Sequence, residues 1–147
     1  MSEAMAAGSN RTFCHTKNCG IPRDVLWRYW TDPQCWAEWD EGLEWARLDQ
    51  PFEPGARGRL KPKNAPAAAF EVTSVNPQQG CSIKVHLPLA ELRITRAFAQ
   101  GKETIFTHAV GFHGVLGTFW AGLYGPKIRR ELPQAMTKLE EMAAQSA

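Results

Sequence analysis

His108 is the residue of this sequence whose side chain is best suited to acid–base chemistry. It shares one face of a predicted strand with Phe106 and Val110, and this apolar pattern predicts an inward-facing imidazole. A neutral imidazole in a cavity can act as an acid, a base or a hydrogen-bond anchor near pH 7. The plainer interpretation is a hydrogen-bonded histidine on the sheet, or a solvent-facing one if the register is shifted. Tyr124 is the second candidate catalytic residue, although the pattern does not place its hydroxyl.

Other arrangements that carry enzyme chemistry are not evident in the sequence. It shows no arrangement of serine, histidine and aspartate that indicates a catalytic triad, and no glycine-rich phosphate-binding loop. It also shows no closely spaced pair of carboxylates that indicates acid–base catalysis. Cys14, His15 and Cys19 suggest a zinc site, but their spacing does not match known zinc motifs. Cys14 and Cys19 would also face opposite sides of one strand. We therefore expect no metal and no cofactor, and interpret the four cysteines as reduced thiols.

Four of the six tryptophans lie within residues 25–40, which read VLWRYWTDPQCWAEWD. Trp27 and Trp30 are three residues apart on one predicted helix, and Trp36 and Trp39 repeat this spacing on the next. One hypothesis is that the indoles pack the helices against a sheet. The other is that some of them line the wide end of a cavity, where rigid aromatic walls suit a planar or lipidic ligand. We assign Trp27 to packing and predict that Trp30, Trp36 and Trp39 line or border a pocket.

Basic side chains alternate along one predicted strand, at Arg57, Arg59, Lys61 and Lys63. Because strand residues two apart share a face, these four must point the same way. They could form a docking stripe for an anionic membrane or an acyl-carrier partner. We favour the alternative that they keep the sheet from pairing edge to edge with another molecule.

Composition predicts one globular domain. The chain has 147 residues, of which 44% are hydrophobic and 22% charged, and its net charge is +2. We place the domain at residues 11–147, after a disordered tail over residues 1–10. The small net charge argues against a nucleic-acid partner, and no apolar run reaches the roughly 18 residues of a membrane span. The first residues lack the features of a signal peptide, so we expect a cytoplasmic protein without stable membrane insertion.

The hydrophobic periodicity predicts a strand, two short helices, six further strands and one long helix. Pro22 and Asp32-Pro33 mark the two helix starts. Short turns between the six strands indicate an antiparallel meander, in which Ile83, Val85, Leu87 and Leu89 share a buried face. The strands are predicted at residues 11–19, 43–48, 58–63, 68–75, 81–89, 92–100 and 104–112, and the short helices at residues 22–31 and 33–40.

The long C-terminal helix is predicted from Val115 onward, where apolar residues recur every three to five positions. Pro126 and Pro133 fall inside it, and each removes one helical hydrogen bond. We therefore expect its first part to be irregular, with a possible break near Gly125-Pro126.

Several local motifs in this order resemble the START-like superfamily, also called SRPBCC. Leu26-Trp27, Thr31-Asp32 and Trp39 are similar to the family's "VW…tD……W" pattern at the end of its first helix pair. The segment Leu87–Leu92 resembles a strand-turn segment common in bacterial members. The further matches are the glycine turn at Gly55–Gly58, the hairpin at Gly101–Thr104 and the "LP…L" of the closing helix at Leu132-Pro133 and Leu139.

This resemblance covers residues 11–143 and implies an α+β helix-grip fold. In such a fold a curved, seven-stranded antiparallel sheet wraps around a long C-terminal helix, with two short helices between strands 1 and 2. A bent sheet gripping one helix tends to leave a cavity, and we expect a mainly apolar one here. Its predicted lining residues are Trp30, Trp36, Trp39, Phe70, Val85, Leu87, Leu89, Phe98, Phe106, His108, Val110, Phe112, Trp120 and Tyr124.

The fold leaves three functions open, because one fold serves many activities. The first is binding of a small hydrophobic molecule, such as a lipid, a polyketide or an aromatic compound, by a monomer or homodimer. The second is an enzyme of the polyketide cyclase or dehydratase type that uses His108 or Tyr124 in the same pocket. The third is an interaction module whose core is filled by its own side chains.

Overall fold

The computed structural model describes residues 11–146, so the tail expected at residues 1–10 lies outside the described part of the chain. All seven strands pair antiparallel in the order β1-β7-β6-β5-β4-β3-β2. The strands are β1 (Thr12–Cys19), β2 (Leu43–Arg47), β3 (Arg57–Pro62), β4 (Ala68–Asn76), β5 (Gly80–Leu87), β6 (Ala90–Phe98) and β7 (Thr104–His113). The helices are α1 (Arg23–Trp30), a 3₁₀ turn (Pro33–Cys35), α2 (Trp36–Trp39) and α3 (Gly117–Ser146).

This architecture confirms the predicted α+β helix-grip fold. The two short helices lie between β1 and β2, the sheet is a curled half-barrel, and α3 crosses its concave face. No predicted strand boundary differs from the observed one by more than two residues. Register shifts in β2 and β4 supply the local bends that such a curved sheet needs.

The predicted break in the C-terminal helix is wrong, because α3 runs without interruption through Pro126 and Pro133. Gly125 explains how the helix can approach β1 there: a Cβ at this position would lie 2.5 Å from the Phe13 ring. Pro126 and Gly122 are both exposed, so water can solvate the Gly122 carbonyl that loses its helical partner. Packing of the opposite face outweighs the local cost of the proline.

The prediction that Leu89 continues the buried face of β5 is also wrong. The strand ends at Leu87, and Leu89 lies in the β5–β6 turn with a φ of 54° and 69% of its surface exposed. Pro88 accounts for the difference, since it has no N–H to donate to the sheet. Ile83 and Val85 are buried as predicted.

The meander gives the domain two distinct ends. One, here called the turn end, carries the β3–β4 turn, the β5–β6 turn and the start of α3. At the other end, here called the corner end, Arg23 of α1 donates to the carbonyls of Ala99 and Gly101 in the β6–β7 turn. The helix α3 therefore runs from the turn end to the corner end. Within residues 11–146, no helix has both the length and the apolar character to cross a membrane.

Candidate ligand-binding cavity

A cavity of about 380 Å³ lies between the concave face of the sheet and the N-terminal half of α3. Its floor is formed by alternate residues of β5, β6 and β7, and its roof by α3 from Trp120 to Ala135. The β3–β4 turn and Pro88 border it at the turn end. The volume lies within the range of small-molecule sites, and most of the wall is apolar.

The structure brings about half of the predicted lining residues together around this cavity and packs the rest elsewhere. The predicted residues that line it are Trp36, Val85, Leu87, Val110, Phe112, Trp120 and Tyr124. The predicted residues that do not line it are Trp30, Trp39, Phe70, Phe106 and His108, which are buried in the interior, Phe98, which is partly buried against them, and Leu89 in its exposed turn.

An aromatic cluster fills the corner end of the space beneath α3. Trp30 stacks on Phe98 with ring centroids 4.4 Å apart and packs against Phe106 at 6.2 Å. Trp36 donates from its indole nitrogen to the carbonyl of Trp30 over 3.1 Å, which ties the 3₁₀–α2 segment to α1. These contacts pack this end with aromatic side chains. Trp27, assigned to packing, is half-buried at the edge of the cluster and contacts Trp30 edge to face.

His108 lies inside this cluster and is absent from the cavity wall. Its imidazole is within 5.7 Å, centroid to centroid, of Trp30, Trp39 and Phe106. Burial, and then the charge of Arg96, hold the pKa of His108 well below its ordinary value, so the ring is neutral at pH 7. Among the described residues its Nε2 finds no hydrogen-bond partner. The imidazole is therefore packed among aromatic rings outside the cavity wall.

Arg96 is a buried cation on the cavity wall that the sequence analysis did not single out. It is 6% exposed and lies directly across from His108 in the β6–β7 register. Its guanidinium lies over the rings of Trp36 and Trp39, at 4.6 Å and 5.0 Å from the centroids. Such contacts stabilise a cation that has lost its water. Burial lowers the pKa of Arg96, and among the described residues its Nε has no hydrogen-bond partner.

The strand pattern contains a signal for Arg96. Leu92, Ile94 and Arg96 alternate on β6, and all three line the cavity. A charged residue that continues an apolar face of a strand is a candidate for an inward-facing group.

Asp40 is a second polar group on the cavity wall that the sequence analysis missed. Its Oδ1 accepts a hydrogen bond from the backbone N–H of Gly42 over 3.0 Å. Burial raises the pKa of Asp40, while that hydrogen bond and then the charge of Arg96 oppose the rise. Lys63 and Lys127 also line the cavity on this side, and Lys127 donates to the carbonyl of Lys63. The wall therefore has one charged side in an otherwise apolar enclosure.

Trp120 and Tyr124 form the aromatic rim at the turn end. Their rings stack with centroids 5.7 Å apart and an angle of 6° between the planes. Trp120 also donates from its indole nitrogen to the carbonyl of Pro88 over 3.0 Å, which fixes α3 to the β5–β6 turn. The candidate catalytic hydroxyl of Tyr124 thus belongs to a residue that lines the cavity.

The metal hypothesis gains no structural site. Within residues 11–146, no group of three or more histidine, cysteine or acidic side chains is arranged to hold a metal ion. Cys14 is exposed whereas Cys19 is buried, and the four cysteines are free thiols.

Solved structures share this fold at low sequence identity. Protein NE0264 from Nitrosomonas europaea matches with a TM-score of 0.72 and 15% identity, over 94% of this chain and 97% of that chain. The di-domain ARO/CYC protein StfQ, from the steffimycin biosynthetic pathway, matches with a TM-score of 0.71 and 9% identity. DynU16, a protein from the dynemicin biosynthetic locus, matches with a TM-score of 0.64 and 18% identity.

Coverage and identity limit what these similarities establish. The matches cover 93% and 89% of this chain but only 52% of StfQ and 46% of DynU16, so the chain spans about half the length of either protein. At such identities the likeness establishes the fold alone. No protein-family model matches the chain, and no curated protein matches its sequence.

Proposed function

We propose that this protein binds a small, mainly apolar molecule in the cavity between the sheet and α3. The observation that carries the proposal is the cavity itself, which is about 380 Å³ in volume, has apolar walls and is rimmed by the stacked rings of Trp120 and Tyr124. Burying an apolar molecule there removes about 25 cal/mol of unfavourable free energy for each Å² of apolar surface taken from water. A filled-core interaction module would have no such space.

The proposal is tested by ligand uptake with a pair of matched variants. Ile128 lines the cavity, whereas Leu123 lies on the same helix with 58% of its surface exposed. Ile128→Trp places an indole in the cavity and should weaken binding of an apolar probe at least about tenfold. Leu123→Trp adds the same indole to the surface and should leave binding unchanged. Native mass spectrometry gives the stoichiometry, and quenching of tryptophan fluorescence gives the affinity.

The result that would refute binding in the cavity is equal affinity in both variants, which would place the probe on the exposed surface. Failure of the unmodified protein to take up any member of a panel of fatty acids, polyketide mimics and aromatic compounds would also refute it.

A second candidate function is cyclisation or dehydration of a polyketide in the same cavity. Three polar side chains favour it, because Asp40, Arg96 and Tyr124 all lie on the wall of an apolar enclosure that could fold a flexible chain. The names of StfQ and DynU16 connect two proteins of similar fold with biosynthetic loci. Product formation from a poly-β-ketone mimic would distinguish this enzyme from a binding protein, which would return the mimic unchanged.

A further inference from the structure

Arg96 places a positive charge deep in the cavity, at the boundary with the aromatic cluster. The cavity wall follows β6 from Leu92 through Ile94 to Arg96, and Trp36 closes the space beyond. The side chain is 6% exposed, so it cannot reach bulk solvent as surface arginines do.

The guanidinium of Arg96 contacts two indoles, and its N–H donors are unpaired among the described residues. Its Cζ lies over the rings of Trp36 and Trp39, and no side chain or carbonyl within residues 11–146 accepts a hydrogen bond from it. The charge of Asp40 acts on Arg96, but the two groups form no ion pair within 4.0 Å. A buried cation without an anionic or hydrogen-bonding partner is costly, and a structure that retains one is suited to receive a partner.

We propose that the cavity's ligand carries a carboxylate that binds Arg96, with an apolar body that extends along β6 toward the turn end. This inference rests on the proposed binding function and narrows it to apolar acids. A planar carboxylate can accept two parallel hydrogen bonds from a guanidinium, and the N–H donors of Arg96 have no other acceptor among the described residues. Burial and the two cation–π contacts also restrict the guanidinium before the ligand arrives, which lowers the entropic cost of binding.

The length of the apolar body follows from strand geometry. Leu92 and Arg96 are four residues apart on β6, and a strand rises about 3.3 Å per residue, so they are separated by about 13 Å. A carboxylate at Arg96 would therefore place a body of about 10 Å beneath Ile94 and Leu92, with its far end near the rim formed by Trp120 and Tyr124. Medium-chain fatty acids and arylalkanoic acids have these dimensions.

The test compares carboxylic acids with primary amides of the same shape, which are neutral and have an NH2 donor in place of one acceptor oxygen. Naphthylacetic acid is paired with naphthylacetamide, and decanoic acid with decanamide, with affinities measured by titration calorimetry at pH 7. The unmodified protein should bind each acid at least about tenfold more tightly than its amide. Arg96→Met keeps an unbranched side chain of similar reach but no charge, and should abolish the preference. Arg96→Lys keeps a charge without the planar fork and should retain part of it.

Arg93→Met is the matched control, because it makes the same substitution on the same strand. Arg93 is exposed and on the opposite face of β6, where it bonds Glu91. The Arg93→Met variant should therefore bind acids and amides with the same preference as the unmodified protein. Thermal unfolding of each variant reports whether it is folded.

The outcomes separate this inference from the function on which it rests. If acids and amides bind the unmodified protein equally, or if Arg96→Met and Arg96→Lys both keep the full preference, the carboxylate proposal is wrong while the cavity still binds ligands. In that case Arg96 serves the packing of Trp36 and Trp39. If neither acids nor amides nor any other apolar compound binds, the proposed function itself fails.

Discussion

The two halves of the space beneath α3 are built from the same sheet and the same helix, yet side chains fill one half while the other half encloses a cavity. At the corner end, Met136 and Leu139 of α3 are completely buried and belong to the same packed cluster as Trp30. At the turn end, Trp120 and Ile128 of the same helix border a cavity. The difference comes from α1 and α2, because Trp30 and Trp39 pack into the first half and only Trp36 reaches the cavity wall. Two short helices suffice to fill one end of a curled sheet but not both.

Arg96 lies where these halves meet and contacts both of them. On one side it contacts the indoles that fill the corner end, and on the other it forms part of the cavity wall. Most of the aromatic cluster lies outside the cavity wall. Its Trp36 and Trp39 nevertheless hold the cation of Arg96 at that wall. The buried Trp39 contacts the guanidinium of Arg96, and Arg96 in turn lines the cavity.

Truncating an aromatic side chain in the filled half should produce the largest loss of stability. Trp30 has no exposed surface and contacts Phe98, Phe106 and His108, so Trp30→Ala should lower the free energy of unfolding by about 3–5 kcal/mol. Trp120→Ala, at the rim of the cavity, removes an equal volume from a half-buried position. It should lower the free energy of unfolding by only about 1–2 kcal/mol. Urea denaturation measures both. Equal losses would mean that the two halves are packed alike.

Replacing an alanine with a larger residue should destabilise the filled half more than the half that contains the cavity. Ala143 is completely buried among the packed residues, so Ala143→Leu should overpack that site and cost about 1–3 kcal/mol. Ala135, two turns earlier on α3, lines the cavity. Ala135→Leu has space to grow into and should be neutral or slightly stabilising, while weakening ligand uptake. A comparable loss of stability in both variants would show that side chains fill the space beside Ala135 in solution.

The sheet and its turns could be predicted because strand patterns are local. Alternation on β5 and β7 and the glycine and proline turns between strands carry their own register, so these elements follow from the sequence. The continuity of α3 could not be predicted in this way, because the helix packs on residues that are distant in sequence, as at Gly125 and Phe13, more than a hundred residues apart. Local propensity predicts a break at Pro126, and tertiary packing prevents it.

The cavity was predictable in kind but not in position. The spacing of Trp30, Trp36 and Trp39 shows that indoles face inward, but only the path of α2 decides that Trp36 reaches the cavity while the other two are packed behind it. His108 was correctly assigned to an inward face, yet depth along the strand separates it from the cavity. Arg96 is harder to predict, because its alternation with Leu92 and Ile94 opposes the usual exposure of charged residues on strands.

The smallest expected effect concerns the pH dependence contributed by His108. Burial lowers its pKa in the folded protein, whereas in the unfolded chain the imidazole titrates near 6.5. The unfolded state therefore binds more protons below that pH, and stability falls as the pH falls. Between pH 7 and 5.5 this should remove about 1 kcal/mol from the free energy of unfolding. His108→Phe places another ring among Trp30, Trp39 and Phe106 and should abolish that part of the loss.

The comparison between the two proteins isolates His108, because the partly buried His113 also has a lowered pKa and is present in both. Urea denaturation at a series of pH values, in the unmodified protein and in the variant, measures the two slopes. Parallel slopes would mean that the imidazole takes up a proton inside the folded protein. That result would require water or a rearranged Asp40 beside it, and the aromatic cluster would then be open to the cavity that it now closes.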